Sequence, residues 1–174
     1  MFETHPFRIF CPRRAKYFIL GSFVAKDGKS GILYDWYYSN GRNQFWPILE
    51  QIYSIRLRNK RTQQDLFRKL SIAVADIIYQ CKRIKKSSSD NHLTNCMYNI
   101  SPIKKVLEDN PVKKVLFTSR FVEKEYKKHF KDLVEEFSNV ELITLPSPSP
   151  RYAAMRKEEK IKRYAKVLPK LKLE

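Results

Sequence analysis

Asn43 puts a hydrogen-bond donor and an acceptor on one carboxamide, and Trp36, Tyr37 and Tyr38 just before it offer flat faces. Together they supply what a planar heterocycle needs to be held. Upstream, the apolar run Tyr17-Phe18-Ile19-Leu20 stops at Gly21-Ser22, where bare backbone amides let a ligand approach closely. A third candidate is Pro146-Ser147-Pro148-Ser149-Pro150, a stiffened loop with two hydroxyls that leads into a helix N-terminus. Such a loop suits a phosphate, gripped through hydroxyls, amides and the helix dipole. On spacing alone the same residues also describe a core strand, an aromatic surface loop and an ordinary strand-to-helix connection.

Other chemistries fit the residues poorly. No G-x-S-x-G elbow surrounds Ser22 or Ser147, so a serine hydrolase is not expected. Cys11, Cys81 and Cys96 are odd in number and lack a C-x-x-C pair, which predicts free thiols. They do not combine with His5, His92 or His129 at zinc-finger spacing, and no metal is expected. His92 reads as a solvated loop histidine.

The elements that must position these groups alternate between strand and helix. Tyr17 to Leu20 reads as a buried strand. Phe45, Trp46, Leu49, Ile52 and Tyr53 recur at helical steps, with Pro47 tolerable in a first turn. Thr62-Gln63-Gln64-Asp65 resembles a capping box opening a second helix through about Ala73. Val74 to Cys81 predicts a strand of low regularity, and 82–91 a basic polar loop. Ser101-Pro102 starts a short helix that ends near Asn110-Pro111, ahead of a strand over 112–117. Ser119 caps a longer helix carrying Val122, Tyr126, Phe130, Leu133 and Phe137 on one side. A strand over 140–145 enters the serine-proline loop, and a last helix places Ile161, Ala165 and Leu168 on one face. This alternation predicts an α/β fold: one domain spanning 1–174, a three-layer αβα sandwich around a mostly parallel four-stranded sheet. Residues 1–16 read as an irregular N-terminal arm and 169–174 as a basic tail.

The charge points to a partner. With 35 Lys and Arg against 18 Asp and Glu the formal net charge is +17, which favours a polyanion, nucleic acid first. No stretch approaches the ~20 apolar residues of a spanning helix, and Met1 to Phe10 has no apolar core of signal type, so an intracellular place and no membrane partner are expected.

Several blocks, in order, carry a resemblance. Ile19-Leu20-Gly21-Ser22-Phe23, then Tyr37-Tyr38 and Arg42-Asn43-Gln44-Phe45-Trp46, resemble the uracil-DNA glycosylase superfamily. So do Cys81-Lys82-Arg83 with Ser88-Ser89-Asp90, and Leu145-Pro146-Ser147-Pro148-Ser149-Pro150 with Ala153-Ala154-Met155. The likeness is to the hypoxanthine-DNA (deoxyinosine) glycosylase branch and covers about Tyr17 to Leu168. It implies an enzyme that flips a damaged base from DNA and hydrolyses its N-glycosidic bond, without a cofactor. The expected substrates are hypoxanthine, uracil or a mismatched pyrimidine. By this pattern Asn43 is the catalytic residue, contacting the base or holding the water. Gly21, Ser22, Phe23, Tyr37, Tyr38 and Phe45 would form the base pocket. Lys82, Arg83, Lys85, Lys86, Ser147, Ser149 and Arg151 would meet DNA phosphates, and Arg151, Tyr152 or Met155 would fill the hole in the duplex. No lysine stands out as a Schiff-base nucleophile, so a monofunctional glycosylase is expected rather than a lyase, and the chain is expected to be a monomer.

Two positions depart from the pattern. Val24 follows Gly21-Ser22-Phe23 where many relatives have proline, and Leu145 stands where several uracil-specific branches place a histidine. A slower enzyme, a different base, or a binding module of the same fold that has lost its chemistry would account for both.

Overall fold

The computed structural model describes residues 1–24, 35–84 and 89–172. Among them the strands are β1 (Phe2–Thr4), β2 (Tyr17–Gly21), β3 (Ile72–Asp76), β4 (Ile78–Arg83), β5 (Leu93–Tyr98), β6 (Lys114–Phe117) and β7 (Glu141–Thr144). The α-helices are α1 (Phe45–Tyr53), α2 (Lys60–Leu70), α3 (Ile100–Asp109), α4 (Arg120–His129), α5 (Lys131–Glu136) and α6 (Lys157–Val167).

A four-stranded sheet, all parallel, has the order β3-β2-β6-β7. Both faces of it are apolar, and strand alternation sorts them. Phe18, Leu20, Val115 and Phe117 pack with Ile103 and Val106 of α3 and Val122 and Tyr126 of α4. Ile19, Leu116, Ile72 and Val74 face the other way, onto Trp46 and Leu49 of α1, Phe67 of α2 and Tyr164 of α6. A sheet buried on both faces needs a helical layer on each, and the αβα sandwich follows.

The rest departs from sequence expectation in specific places. The 74–81 segment is two strands: β3 begins at Ile72 and is wholly buried, whereas β4 belongs to a second, antiparallel sheet ordered β1-β4-β5. The N-terminal arm is partly regular, because β1 pairs with β4, Phe2 opposite Lys82, and Phe10 bridges to Val74. The basic loop likewise begins later, since Lys82 and Arg83 pair with Thr94 and Leu93 of β5. The cap of α2 is Asn59, whose side chain accepts from Thr62 N–H at 3.0 Å, three residues before the expected start. This helix stops at Leu70, with Ser71 left-handed at φ 55° and its N–H folded back on Arg68 and Phe67. Helix α3 opens at Ile100 rather than Ser101. Ser119 does cap α4, accepting from Val122 N–H at 3.2 Å, but the long helix breaks at Phe130 into α4 and α5.

Candidate active site

Strands β2 and β6 are neighbours whose next strands lie on opposite sides, β3 beyond one and β7 beyond the other. Chain leaving two adjacent parallel strands in opposite directions opens a crevice at their carboxyl ends, where ligands settle in such sheets. A cleft of about 520 Å³ lies there. Ser22 and Phe23 after β2, Asp76 at the end of β3, and Thr118 and Ser119 after β6 form its base. The Tyr38–Asn43 loop, Asp90 and the Ser147–Arg151 loop rise around it.

The two loops are physically joined. Gln44 N–H donates to Pro148 O at 2.8 Å. Beneath them the Lys160 ammonium, only 1% exposed, donates to Gln44 Oε1 at 2.9 Å and Ser149 O at 3.3 Å, and lies over the Tyr152 ring. Burial pulls the Lys160 pKa below that of a free lysine. Inside the second loop each serine hydroxyl turns the chain, Ser147 Oγ accepting from Ser149 N–H and Ser149 Oγ from Arg151 N–H. Tyr164 O–H holds its base through Pro146 O at 2.8 Å.

Asn43 lies just ahead of α1, and its Oδ1 accepts from Phe45 N–H at 2.9 Å. Only an acceptor can serve that N–H, so the side-chain orientation is set by chemistry and the Nδ2 donors are left for the cleft. Tyr38, in the left-handed region at φ 58°, stacks on Phe45 at 3.9 Å and lines the cleft. Its hydroxyl is buried without a hydrogen-bond partner among the described residues. Burial, and then the Asp76 charge, raise its pKa well above the usual phenol range.

Two carboxylates enter the same cleft. Asp76, 5% exposed, takes a 2.8 Å hydrogen bond from His5 Nε2 on its Oδ2. Its Oδ1 lies across the end of β2, where a Cβ on Gly21 would stand 2.2 Å away, so the missing side chain at Gly21 makes room for it. Burial works against a charge on His5, but Asp76 and the Phe7 carbonyl outweigh it and raise the imidazole pKa. Asp90 accepts from Ser22 O–H at 2.8 Å. Burial, the larger influence, and the nearby Asp76 charge push its pKa up to about 6, against the Ser22 hydrogen bond and the Arg83 and Arg151 charges. Nothing local in the chain signals the pairing of His5 with Asp76: they stand 71 residues apart, one in an arm and one at the end of a strand.

The remaining expected site residues divide. Ser22, Phe23, Tyr38, Asn43, Ser147, Ser149 and Arg151 share the cleft. Tyr37 and Phe45 do not reach it: both are buried in the aromatic core behind, Tyr37 donating to Arg8 O and receiving Trp46 Nε1–H on its carbonyl. Arg83 is not an open phosphate contact either, since its side chain is 2% exposed and bound to Glu3 and to Val24 O. Lys82 sits on the outer face of the second sheet over the Phe2 ring. Tyr152 and Arg151 are exposed beside the serine-proline loop and Met155 is half-buried. Lys85 and Lys86 lie outside the described residues. Leu145 is buried at 2% exposure and sends nothing into the cleft. His92 is half-buried beside β5 rather than fully solvated. Cys11, Cys81 and Cys96 are free thiols.

Neither a protein-family model nor a curated protein sequence matches the chain. Among solved structures, the solution NMR structure of a protein from Methanosarcina acetivorans, provisionally assigned as a uracil DNA glycosylase, aligns over 96% of both chains. The TM-score is 0.63 at 17% sequence identity. The chain has the uracil-DNA glycosylase-like fold. Within that fold the cleft lies at the carboxyl ends of the parallel strands, and no described helix is long and apolar enough to cross a membrane.

Proposed function

We propose that this chain is a monofunctional DNA glycosylase, acting as a monomer inside the cell, that extrudes a damaged or deaminated base and hydrolyses its N-glycosidic bond. Hypoxanthine, uracil and mismatched pyrimidines are the candidate bases. The observation that carries this reading is the cleft itself: about 520 Å³, flanked by two bonded loops, with an amide donor at one wall and two carboxylates among its lining. In such a bond cleavage the base departs with negative charge while the sugar gains positive charge. Asn43 Nδ2 is placed to donate to the leaving base, and the Asp90 carboxylate supplies negative potential to the sugar. Tyr38 offers a flat face to the base. Ser147, Ser149 and Arg151 provide hydroxyls and charge for the phosphate backbone, and the net charge of +17 favours encounter with DNA.

Duplexes containing hypoxanthine, uracil or mismatched thymine, incubated with the protein and then treated with alkali, test the reading. Strand breaks at one or more of the lesions are expected. Intact strands for all three at high protein concentration sink it. Leu145 favours a second reading, a nucleic-acid-binding module without turnover, since a buried leucine fills the place before Pro146 and leaves the leaving group one polar contact short. Salt-sensitive binding of all three duplexes without any breaks selects that alternative.

A further inference from the structure

We infer that Asp76, held in place by His5, is the carboxylate that activates the attacking water, and that the N-terminal arm is therefore part of the catalytic machinery. This rests on the glycosylase reading and goes beyond it in naming the base. Asp76 is 5% exposed, and the exposed remainder opens on the cleft. Its Oδ2 is committed to His5 Nε2 at 2.8 Å, while Oδ1 lies over the bare Cα of Gly21 without a hydrogen bond to the described residues. A carboxylate oxygen in a largely buried side chain, unpaired among the described residues, is ready to take a hydrogen bond from water or substrate in the cleft. Asp76 is the more buried of the two carboxylates in the cleft; the other, Asp90, receives the Ser22 hydroxyl on its Oδ1.

His5 is built to hold the carboxylate through a change of charge. Its Nδ1 faces both partners of Phe7, the N–H at 3.1 Å and the carbonyl at 2.9 Å. A neutral ring accepts from the N–H and donates Nε2–H to Asp76. A protonated ring donates to the carbonyl instead and keeps the same bond to Asp76. Phe23 at 5.5 Å and Tyr37 at 5.5 Å wall the ring in, so it does not swing away. His5 is thus a positioning residue and Asp76 the group that touches the water.

In the step itself, a water bound to Oδ1 attacks C1′ of the extruded nucleotide and a C1′–O bond forms. The C1′–N bond breaks, its electron pair leaving with the base near Asn43 Nδ2. The water proton passes to Oδ1 and from there to solvent, and the base takes a proton from solvent, so the net change is hydrolysis.

The test is single-turnover and steady-state cleavage of the preferred lesion duplex by wild type, Asp76→Asn, Asp76→Ala and His5→Phe, with duplex affinity measured alongside. Asn keeps an oxygen for His5 and cannot take the water's proton, so Asp76→Asn folds and loses about 100-fold or more in kcat with little change in duplex Kd. Formate added to Asp76→Ala restores part of the loss, a response that a merely structural role does not produce. His5→Phe lowers kcat about tenfold at unchanged KM. An active wild type whose Asp76→Asn variant keeps its kcat within threefold overturns this assignment alone, and so does unchanged kcat in His5→Phe. A wild type inert on every lesion overturns the glycosylase reading and this assignment together.

Discussion

Gln44 donates its backbone N–H to the carbonyl of Pro148 at 2.8 Å, joining the loop that carries Asn43 to the loop built of alternating serine and proline. Lys160 reinforces the join from below, one hydrogen bond to each side. Under the proposed function, a duplex pressing on the serine-proline loop would act on the residue next to Asn43.

Lys160→Met tests this coupling. The variant relieves the desolvation of a buried cation but strips Gln44 Oε1 and Ser149 O of their donor, terms of similar size and opposite sign. We expect the melting temperature to move little while kcat/KM on a lesion duplex falls about tenfold, or ~1.4 kcal/mol of transition-state stabilisation. Unchanged kcat/KM would show that the loops hold their places without the ammonium.

Asn43 has two jobs that substitution separates. Asn43→Ala loses both the acceptor for Phe45 N–H, worth about 1 kcal/mol of stability, and the Nδ2 donor, worth ~100 to 1000-fold in rate. Asn43→Asp keeps the acceptor and loses only the donor. Stability close to wild type with activity as low as Asn43→Ala is the expected result for Asn43→Asp in thermal melts and cleavage assays. Retained activity would reassign Asn43 to holding the water.

Gly21→Ala forces a methyl to within 2.2 Å of Asp76 Oδ1 and 3.0 Å of Tyr38 Oη. Asp76 must then move, at the expense of its bond to His5. Overpacking of this kind costs about 1–3 kcal/mol, and cleavage should fall as well. A variant with wild-type denaturant midpoint and wild-type rate would mean that the carboxylate has room the structure does not show.

Arg83 and Arg151 should respond oppositely. Arg83 is an interior residue bound to Glu3 and Val24, so Arg83→Ala should lose about 1–3 kcal/mol of stability and leave the salt dependence of DNA binding alone. Arg151 is exposed at the lip, and Arg151→Ala should reduce the slope of log K against log salt by about 0.9 with stability unchanged. Binding titrations at several salt concentrations decide it, and a reduced slope for Arg83→Ala would count against its interior role.

Asp90 sets a pH dependence of known sign. Its folded pKa of about 6 lies above that of a free aspartate, so the native state binds the extra proton and stability declines as pH rises from about 4 to about 6, then levels off. His5, also raised, acts in a higher window: its contribution is present below about 6.5 and fades as pH climbs through the folded value. Asp90→Asn should therefore be more stable than wild type at pH 7, on the order of 2 kcal/mol, and equal to it at pH 4. Urea unfolding at both pH values reads this out, and an equal gap at the two would show that Asp90 is not the group responsible.

Strand and helix periodicity determined the sandwich, because Ile19 with Leu116 and Phe18 with Phe117 alternate between two apolar faces whatever their partners are. The glycine at the end of β2 and the serine-proline run after β7 were equally legible, since backbone chemistry there is local. What only the tertiary structure decided is which residues meet across long separations. His5 reaches Asp76 because β1 pairs with β4, Asn59 caps α2 ahead of the expected Thr62, and Arg83 turns inward because Glu3 and Val24 are there to receive it. Tyr37 and Tyr38 are neighbours of one type with different fates, one buried in the core and one lining the cleft. The left-handed turn at Tyr38 separates them, and a turn of that kind is set by the packing around it rather than by the residue that makes it.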